Sequence, residues 1–283
     1  MLSARGLRYS YPGGVEALAG LDLEIARGER LAILGANGAG KTTLLMLLNG
    51  TLRPAGGAIS VGGAAAGYDR ASLRRWRQQV GLVLQDPDDQ LFAATVFEDV
   101  SFGPLNLGLA PDAAAARVTA ALAALRIADL AERPTHMLSY GQRKRVAIAG
   151  IVAMDPAILL LDEPTAGLDP LGVTHLLVAL RALSERGTAI ILATHDMDVA
   201  YGWADRIAIF GERRIALAGP PEAVFEDAGL LKRLRLRPPL LWDIGRLLRQ
   251  RGILDAGQPL PRSRRQMLAA ISRPRPHEAA TPS

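Results

Sequence analysis

Three kinds of segment follow one another without a gap between residues 30 and 50, and they restrict the fold more than any other part of the chain. Arg30-Leu-Ala-Ile-Leu34 is a short apolar run and Gly35-Ala-Asn37-Gly38-Ala-Gly40 is a glycine-rich turn. Lys41-Thr42-Thr43-Leu-Leu-Met-Leu-Leu then reads as a helix closed by Asn49-Gly50. Strand, loop and helix in this order give the pattern G-x-x-x-x-G-K-[ST], in which glycines at 35, 38 and 40 let successive backbone N–H groups converge on phosphate oxygens. The helix N-terminus contributes about half a positive charge, and Lys41 adds a full one. Lys41 is the only lysine in the first 143 residues of a chain that carries 30 arginines and three lysines, which suits a compact point charge reaching β- and γ-phosphates. Thr42 is placed to hold Mg²⁺ through its hydroxyl.

Further short apolar runs at 80–84, 157–161 and 189–193 are bounded by turn or polar residues, as strands of a mostly parallel sheet covered on both faces would be. Helical patterns separate them. One begins with Asp169-Pro170 as cap and first-turn proline, continues through Leu176, Leu177, Leu180 and Leu183, and stops at Gly187. The alternation predicts an α/β fold. Residues 1–30 and 51–63 predict an antiparallel flap, and 206–210 with 214–218 predict a hairpin. Residues 86–155 read as a mostly helical insertion, clearest at 113–125. Two short amphipathic helices are expected around 243–251 and 264–271, and the Pro-rich residues 273–283 are expected to be disordered. The implied division is a nucleotide-binding domain over 1–228 and a basic helical extension over 229–283.

Composition narrows the chemistry. No apolar run approaches the ~18–20 residues of a membrane-spanning helix, and Met1-Leu2-Ser3-Ala4-Arg5 lacks a signal-peptide core, so a soluble chain is expected. With no cysteine and four histidines, thiol catalysis and thiolate metal sites are excluded and a zinc site is disfavoured. Residues 229–283 hold 12 basic and 3 acidic side chains, against 21 and 25 in residues 1–228. Because the basic excess lies outside the body and aromatics make up only 5% of the chain, nucleic acid is not the expected partner. An anionic lipid surface or an acidic partner fits the basic extension as well.

Two more motifs carry chemistry. Ile158-Leu-Leu-Leu-Asp162-Glu163-Pro164-Thr165 is a buried strand ending in two carboxylates, an arrangement that calls for an opposing cation. Mg²⁺ is the natural one, with Asp162 holding it through water and Glu163 directed at the water that attacks a γ-phosphate. Leu138-Ser139-Tyr140-Gly141-Gln142 opens a helix expected to run to Ala153, and Ser139 with Gln142 forms a capping box whose N-terminus is a second anion site.

Taken together, the P-loop, LSYGQ, LLLDEPTAGLD and the histidine closing IILATH resemble the nucleotide-binding subunit of ABC transporters over about residues 2–228. The resemblance implies an ATPase built on an α/β P-loop NTPase core, with an antiparallel β flap, an inserted helical subdomain and a small C-terminal helical extension. It implies that Tyr11 stacks on adenine, that Gly35, Asn37, Gly38, Gly40, Lys41, Thr42 and Thr43 bind the nucleotide, and that Gln85 touches Mg²⁺ and reports to a membrane partner. His195 would contact the γ-phosphate and Glu163, and Asp169 would contact a second subunit. ATP would lie between the P-loop of one subunit and Ser139, Gly141 and Gln142 of the other, so a homodimer is expected. Tyr140 departs from the family, which often has glycine there.

The stretches 85–92, 95–106 and 145–150 are similar to energy-coupling-factor importers, and Phe-Gly-Pro-Leu-Asn106 is most similar to their cobalt and nickel branch. This implies a peripheral subunit on the cytoplasmic face of the cell membrane. Its partners would be a transmembrane coupling protein and a substrate-binding subunit, with residues 90–97 as the docking surface. The transported ion, cobalt before nickel or a vitamin, would not touch this chain. A soluble DNA-handling ATPase shares the catalytic head, yet the long heptads and cysteines that such proteins carry are absent. A small-molecule kinase would leave the LSYGQ helix without a purpose.

Overall fold

A computed structural model describes residues 1–272, so the expectation for 273–283 lies outside the described residues. Strands β1 (Leu2–Ser10) and β2 (Glu16–Ile25) pair antiparallel, and Leu2, Ala4, Leu7, Leu18, Leu21, Leu23 and Ile25 turn inward. The pairing register shifts between Ala4 and Leu7, around Gly6. The chain then leaves this sheet through β3 (Arg30–Leu34) and α1 (Lys41–Leu48), and returns as β4 (Gly56–Val61) and β5 (Ala64–Ala65). The flap is thus a four-stranded sheet in the order β2-β1-β4-β5.

Helix α2 (Arg70–Gln79) follows, with the Asp69 carboxylate accepting the N–H groups of Ala71 and Ser72. It leads into β6 (Val80–Val83), one residue shorter than expected because the Leu84 N–H donates to the Gln90 side chain at 2.8 Å. Three helices fill the insertion: α3 (Val96–Asn106), begun by a Thr95–Glu98 capping box, α4 (Pro111–Ala124) and α5 (Tyr140–Val152). They bury Val96, Val100, Val118, Leu122, Val146 and Ile148 against one another.

Strand β7 (Ile158–Asp162), helix α6 (Pro170–Glu185), strand β8 (Ala189–Thr194), helix α7 (Met197–Trp203) and the hairpin β9 (Arg206–Gly211) and β10 (Arg214–Gly219) complete the body. The second sheet has the order β10-β9-β3-β8-β7-β6, parallel except for β10. Every residue of β7 and β8 is buried, as two covered faces require. Because β3, β8 and β7 are adjacent and parallel, their C-terminal ends bring Leu34, Thr194 and Asp162 to one edge of the sheet. Open α/β sheets bind ligands at this edge.

Helix α8 (Pro221–Glu226) precedes the expected boundary at 228/229 and α9 (Ala228–Arg233) spans it, and the extension beyond is helical, with α10 (Leu240–Gln250) and α11 (Arg264–Ile271). Helix α10 starts three residues before the sequence expectation because Pro239 sets its entry and the Leu240 N–H is taken up by the Asp198 carboxylate at 2.8 Å. Despite its opposite charge, the extension packs on the body. Trp242 is buried edge-to-face against Tyr201 at 5.9 Å, and the Arg262 guanidinium donates to the backbone carbonyls of Tyr201 and Ala204.

Candidate functional site

A cavity of about 520 Å³ opens at the sheet edge where β3, β8 and β7 end, lined by Tyr11, Asn37 to Thr43, Gln85, Asp162, Glu163, Ala166 and His195. The turn between β3 and α1 is held too tightly for side chains at two of its glycines. A Cβ on Gly35 would lie 2.8 Å from the Phe210 carbonyl, and one on Gly40, where φ is +109°, would lie 3.0 Å from that of Ala17.

Lys41 is buried, and its ammonium donates to the Gly35 carbonyl at 2.7 Å and the Ala36 carbonyl at 3.2 Å. It stands 3.7 Å from Glu163 Oε1. The Thr42 hydroxyl donates to Asp162 Oδ2 at 2.5 Å. Burial pushes the Asp162 carboxyl above its usual range, with the Thr42 hydrogen bond opposing it. A buried carboxylate beside a hydroxyl and the Gln85 amide forms a donor set of oxygen throughout, the chemistry that a hard cation such as Mg²⁺ takes. The residues present fit that ion.

Glu163 adopts φ +44°, a region uncommon for a residue other than glycine, and its N–H is tied to the Ala193 carbonyl at 2.9 Å. That backbone turn aims the carboxylate back across the sheet edge. Oε2 accepts the Thr194 hydroxyl at 3.0 Å, and Oε1 lies 2.9 Å from His195 Nδ1. One carboxylate is therefore fixed by two neighbours inside the cavity that holds Lys41. At the other end, the Tyr11 hydroxyl shares a 2.8 Å hydrogen bond with Thr43 Oγ1, and its ring stands edge-to-face to Tyr9 at 5.1 Å. Part of the Tyr11 ring stays exposed.

The sequence-derived set divides in two. Tyr11, Asn37, Gly38, Gly40, Lys41, Thr42, Thr43, Gln85, Asp162, Glu163 and His195 meet at this cavity, with Gly35 shaping the turn beneath it. Ser139, Gly141, Gln142 and Asp169 do not line it. Ser139 and Gln142 form the expected capping box, with Gln142 N–H on Ser139 Oγ at 3.3 Å and Ser139 N–H on Gln142 Oε1 at 2.9 Å, and Asp169 caps α6 through the Gly172 N–H at 2.5 Å. Ser139 and Asp169 are exposed at the surface of the same chain.

Two further residues were not singled out by sequence reasoning. Thr194 is fully buried and holds Glu163, and no signal marks it apart from its place before His195. Lys144 is also fully buried, and its ammonium donates to the Gln85 carbonyl. Burial pushes its pKa down, while Asp162, Asp86 and Glu163 oppose this. The rarity of lysine in this chain was an available signal.

A family model for the ABC transporter matches residues 18–166. The cobalt import ATP-binding protein CbiO of Rhodobacter capsulatus is 54% identical over 272 residues, spanning 96% of this chain and 97% of the relative. The energy-coupling factor transporter ATP-binding protein EcfA of Methanococcus maripaludis is 45% identical over 84% of this chain and 86% of its own length. Among solved structures, cbiO1 from Clostridium perfringens, described as part of the ABC transporter complex cbiONQ, matches with a TM-score of 0.74 at 44% identity, covering 87% of this chain and 98% of that one. The dimeric ATP-binding cassette MJ0796, in a post-hydrolysis state with ADP and phosphate, matches with a TM-score of 0.72 at 26% identity, covering 78% and 99%.

Proposed function

The chain belongs to the ABC transporter family of ATPases, and on that premise we propose that it is the ATP-hydrolysing subunit of an energy-coupling-factor importer for a divalent transition metal, cobalt before nickel. The observation that carries the catalytic part is the Glu163 carboxylate, fixed by Thr194 and His195 in the cavity that also holds Lys41 and Asp162. The similarity to a cobalt import subunit along nearly the whole chain supports the choice of cargo.

In this reading Lys41 exchanges the carbonyls of Gly35 and Ala36 for the β- and γ-phosphate oxygens of ATP, a stronger charge-assisted contact. The backbone N–H groups of residues 38–43 close around the same phosphates. Tyr11, steadied by Thr43, offers its ring to the adenine. Thr42, Asp162 and Gln85 would hold Mg²⁺, which when bound neutralises phosphate charge during transfer. Glu163 takes the proton of the attacking water, and His195 and Thr194 keep its two oxygens in place. Ser139, Gly141 and Gln142, which lie outside the chain's own cavity, complete the site of a second copy, with Asp169 at the contact between the two. Hydrolysis then depends on a homodimer with two equivalent sites.

The subunit works peripherally, on membrane-embedded partners: a transmembrane coupling protein and a substrate-binding subunit. No helix among the described residues is long and apolar enough to cross a membrane. The docking surface is narrower than residues 90–97, because Val96 is buried and the Gln90 side chain turns inward to the backbone of Leu84 and Leu82. The large hydrophobic residue that this region exposes is Phe92, stacked edge-to-face on Phe102 at 4.7 Å. Phe102 also borders a groove that Arg70, Arg74 and Arg77 line from α2. Co-purification with hydrophobic membrane subunits, as opposed to stimulation of the ATPase by DNA, tests the assignment against a soluble DNA-handling enzyme.

A further inference from the structure

The family resemblance turns Ser139, Gly141 and Gln142, at the start of α5, toward a second subunit, yet three other side chains of that helix contact the chain's own body. Arg143 Nε pairs with Asp88 at 2.8 Å. Tyr140 directs its hydroxyl at the Gln85 carbonyl in a long 3.4 Å contact, and its ring abuts Gly167, where a Cβ would lie 2.5 Å from the ring. Lys144, one helical turn after Tyr140, is the largest commitment: its ammonium is fully buried and spends a hydrogen bond on that same Gln85 carbonyl. Burying an ammonium is unfavourable, and an apolar side chain of the same length would fill the space without that penalty. The neighbours that offset the penalty are Asp162, Asp86 and Glu163, two of which line the phosphate cavity.

The carbonyl matters because of what is attached to it. Gln85 is exposed and directs no side-chain hydrogen bond to the protein among the described residues, while its side chain lines the cavity. Besides the Arg143–Asp88 ion pair, the turn behind it is held by local bonds: Asp88 N–H to the Asp86 carboxylate at 3.0 Å, and Leu84 N–H to the Gln90 side chain. The backbone therefore sets the point from which the Gln85 side chain reaches over the cavity.

We propose that Lys144 is a positioning residue for hydrolysis: by clamping the Gln85 carbonyl, with Tyr140 beside it, it fixes the Gln85 side chain at the mouth of the phosphate cavity and ties that segment to α5. The proposal rests on the reading of this cavity as an ATPase site. It accounts for a buried lysine in a chain that carries 30 arginines and three lysines, since the bulkier guanidinium does not match a single carbonyl in a closed space.

The test is a double-mutant cycle of Lys144→Met and Gln85→Ala in the full chain. It measures kcat and KM for ATP, fluorescent ATP-analogue binding with magnesium chelated, and backbone amide exchange over residues 82–90 and over α5. Lys144→Met is expected to lower kcat by about tenfold or more, as a displaced group at a phosphoryl-transfer site does, with KM and magnesium-free binding within threefold. Amide exchange is expected to quicken at residues 85–89 and stay unchanged in α5, where a general loss of packing would quicken both. Combined with Gln85→Ala, Lys144→Met should lower kcat by less than a further twofold. Fully additive losses in kcat, or unchanged exchange at 85–89, would overturn the proposal while the ATPase reading stands. A wild-type chain that neither binds nor hydrolyses ATP would overturn the ATPase reading, and with it the role in hydrolysis, while the exchange data would still report whether the clamp exists.

Discussion

Replacing Glu163 with glutamine removes one charge and almost no volume, so its effect can be worked from the contacts. The amide oxygen can still accept the Thr194 hydroxyl, and the left-handed backbone at residue 163 is as accessible to glutamine as to glutamate. The ground-state architecture should therefore survive. Two things change. The proton acceptor is lost, which lowers the rate by about 10²–10⁴, or about 2.7–5.4 kcal/mol of barrier. The anion 3.7 Å from Lys41 is lost as well. With both groups buried, the gross attraction at that distance is on the order of 4 kcal/mol at an effective dielectric near 20, before desolvation is counted. Without that competitor Lys41 is freer to meet phosphate. Glu163→Gln should hence bind ATP at least as tightly as wild type, hydrolyse it 10²–10⁴-fold more slowly (roughly, by the loss of a general base), and accumulate as an ATP-bound dimer. Single-turnover hydrolysis and sedimentation under saturating Mg-ATP read these quantities. A rate within threefold of wild type would refute the base assignment, and a monomer under those conditions would refute the shared site.

Lys41→Ala should abolish productive ATP binding, because each hydrogen bond to a charged phosphate contributes about 1.5–3 kcal/mol; near-wild-type turnover would remove the P-loop assignment. Trp242→Ala should lower stability by about 3–5 kcal/mol through the void left against Tyr201 and Phe225, and denaturant unfolding measures it; a loss below about 1 kcal/mol would mean that α10 is not docked on the body. Asp205 is partly buried, which alone would raise its pKa, but the Arg30 guanidinium outweighs this and holds the carboxyl below its ordinary 3.8. Its contribution is then present above that value and is lost as pH falls through the lower folded-state value. Asp205→Asn should lower Tm at neutral pH, and the gap from wild type should close progressively in acid below pH 3.8; a gap independent of pH would contradict the ion pair.

The parallel sheet was legible because its strands are continuous apolar runs bounded by glycine, proline or polar residues, and the cavity was legible because the residues that close those strands are few and chemically distinctive. Helix α2 was not, since only Leu73 and Trp76 mark its inner face and arginines fill half of the rest. The start of α10 depended on a tertiary contact, the Asp198 carboxylate on the Leu240 N–H, which no local pattern encodes. The same holds for the attachment of the basic extension: charge counting set it apart from the body, whereas Trp242 and Arg262 join it to α7 through contacts between residues some 40 to 60 positions apart. In the site, Lys144 and Thr194 escaped notice because each acts on a neighbour, Gln85 or Glu163, through a tertiary contact that no local pattern encodes.

The central claim is that hydrolysis at this cavity drives metal import through separate membrane subunits, and uptake of labelled Co²⁺ into vesicles that hold the chain with its co-purified membrane partners tests it most directly. Uptake is expected to require ATP and magnesium, to be lost with Glu163→Gln, and to occur although the isolated chain binds Co²⁺ weakly, its sequence offering no cysteine. Uptake that proceeds without ATP, or is confined to a vitamin, would contradict it.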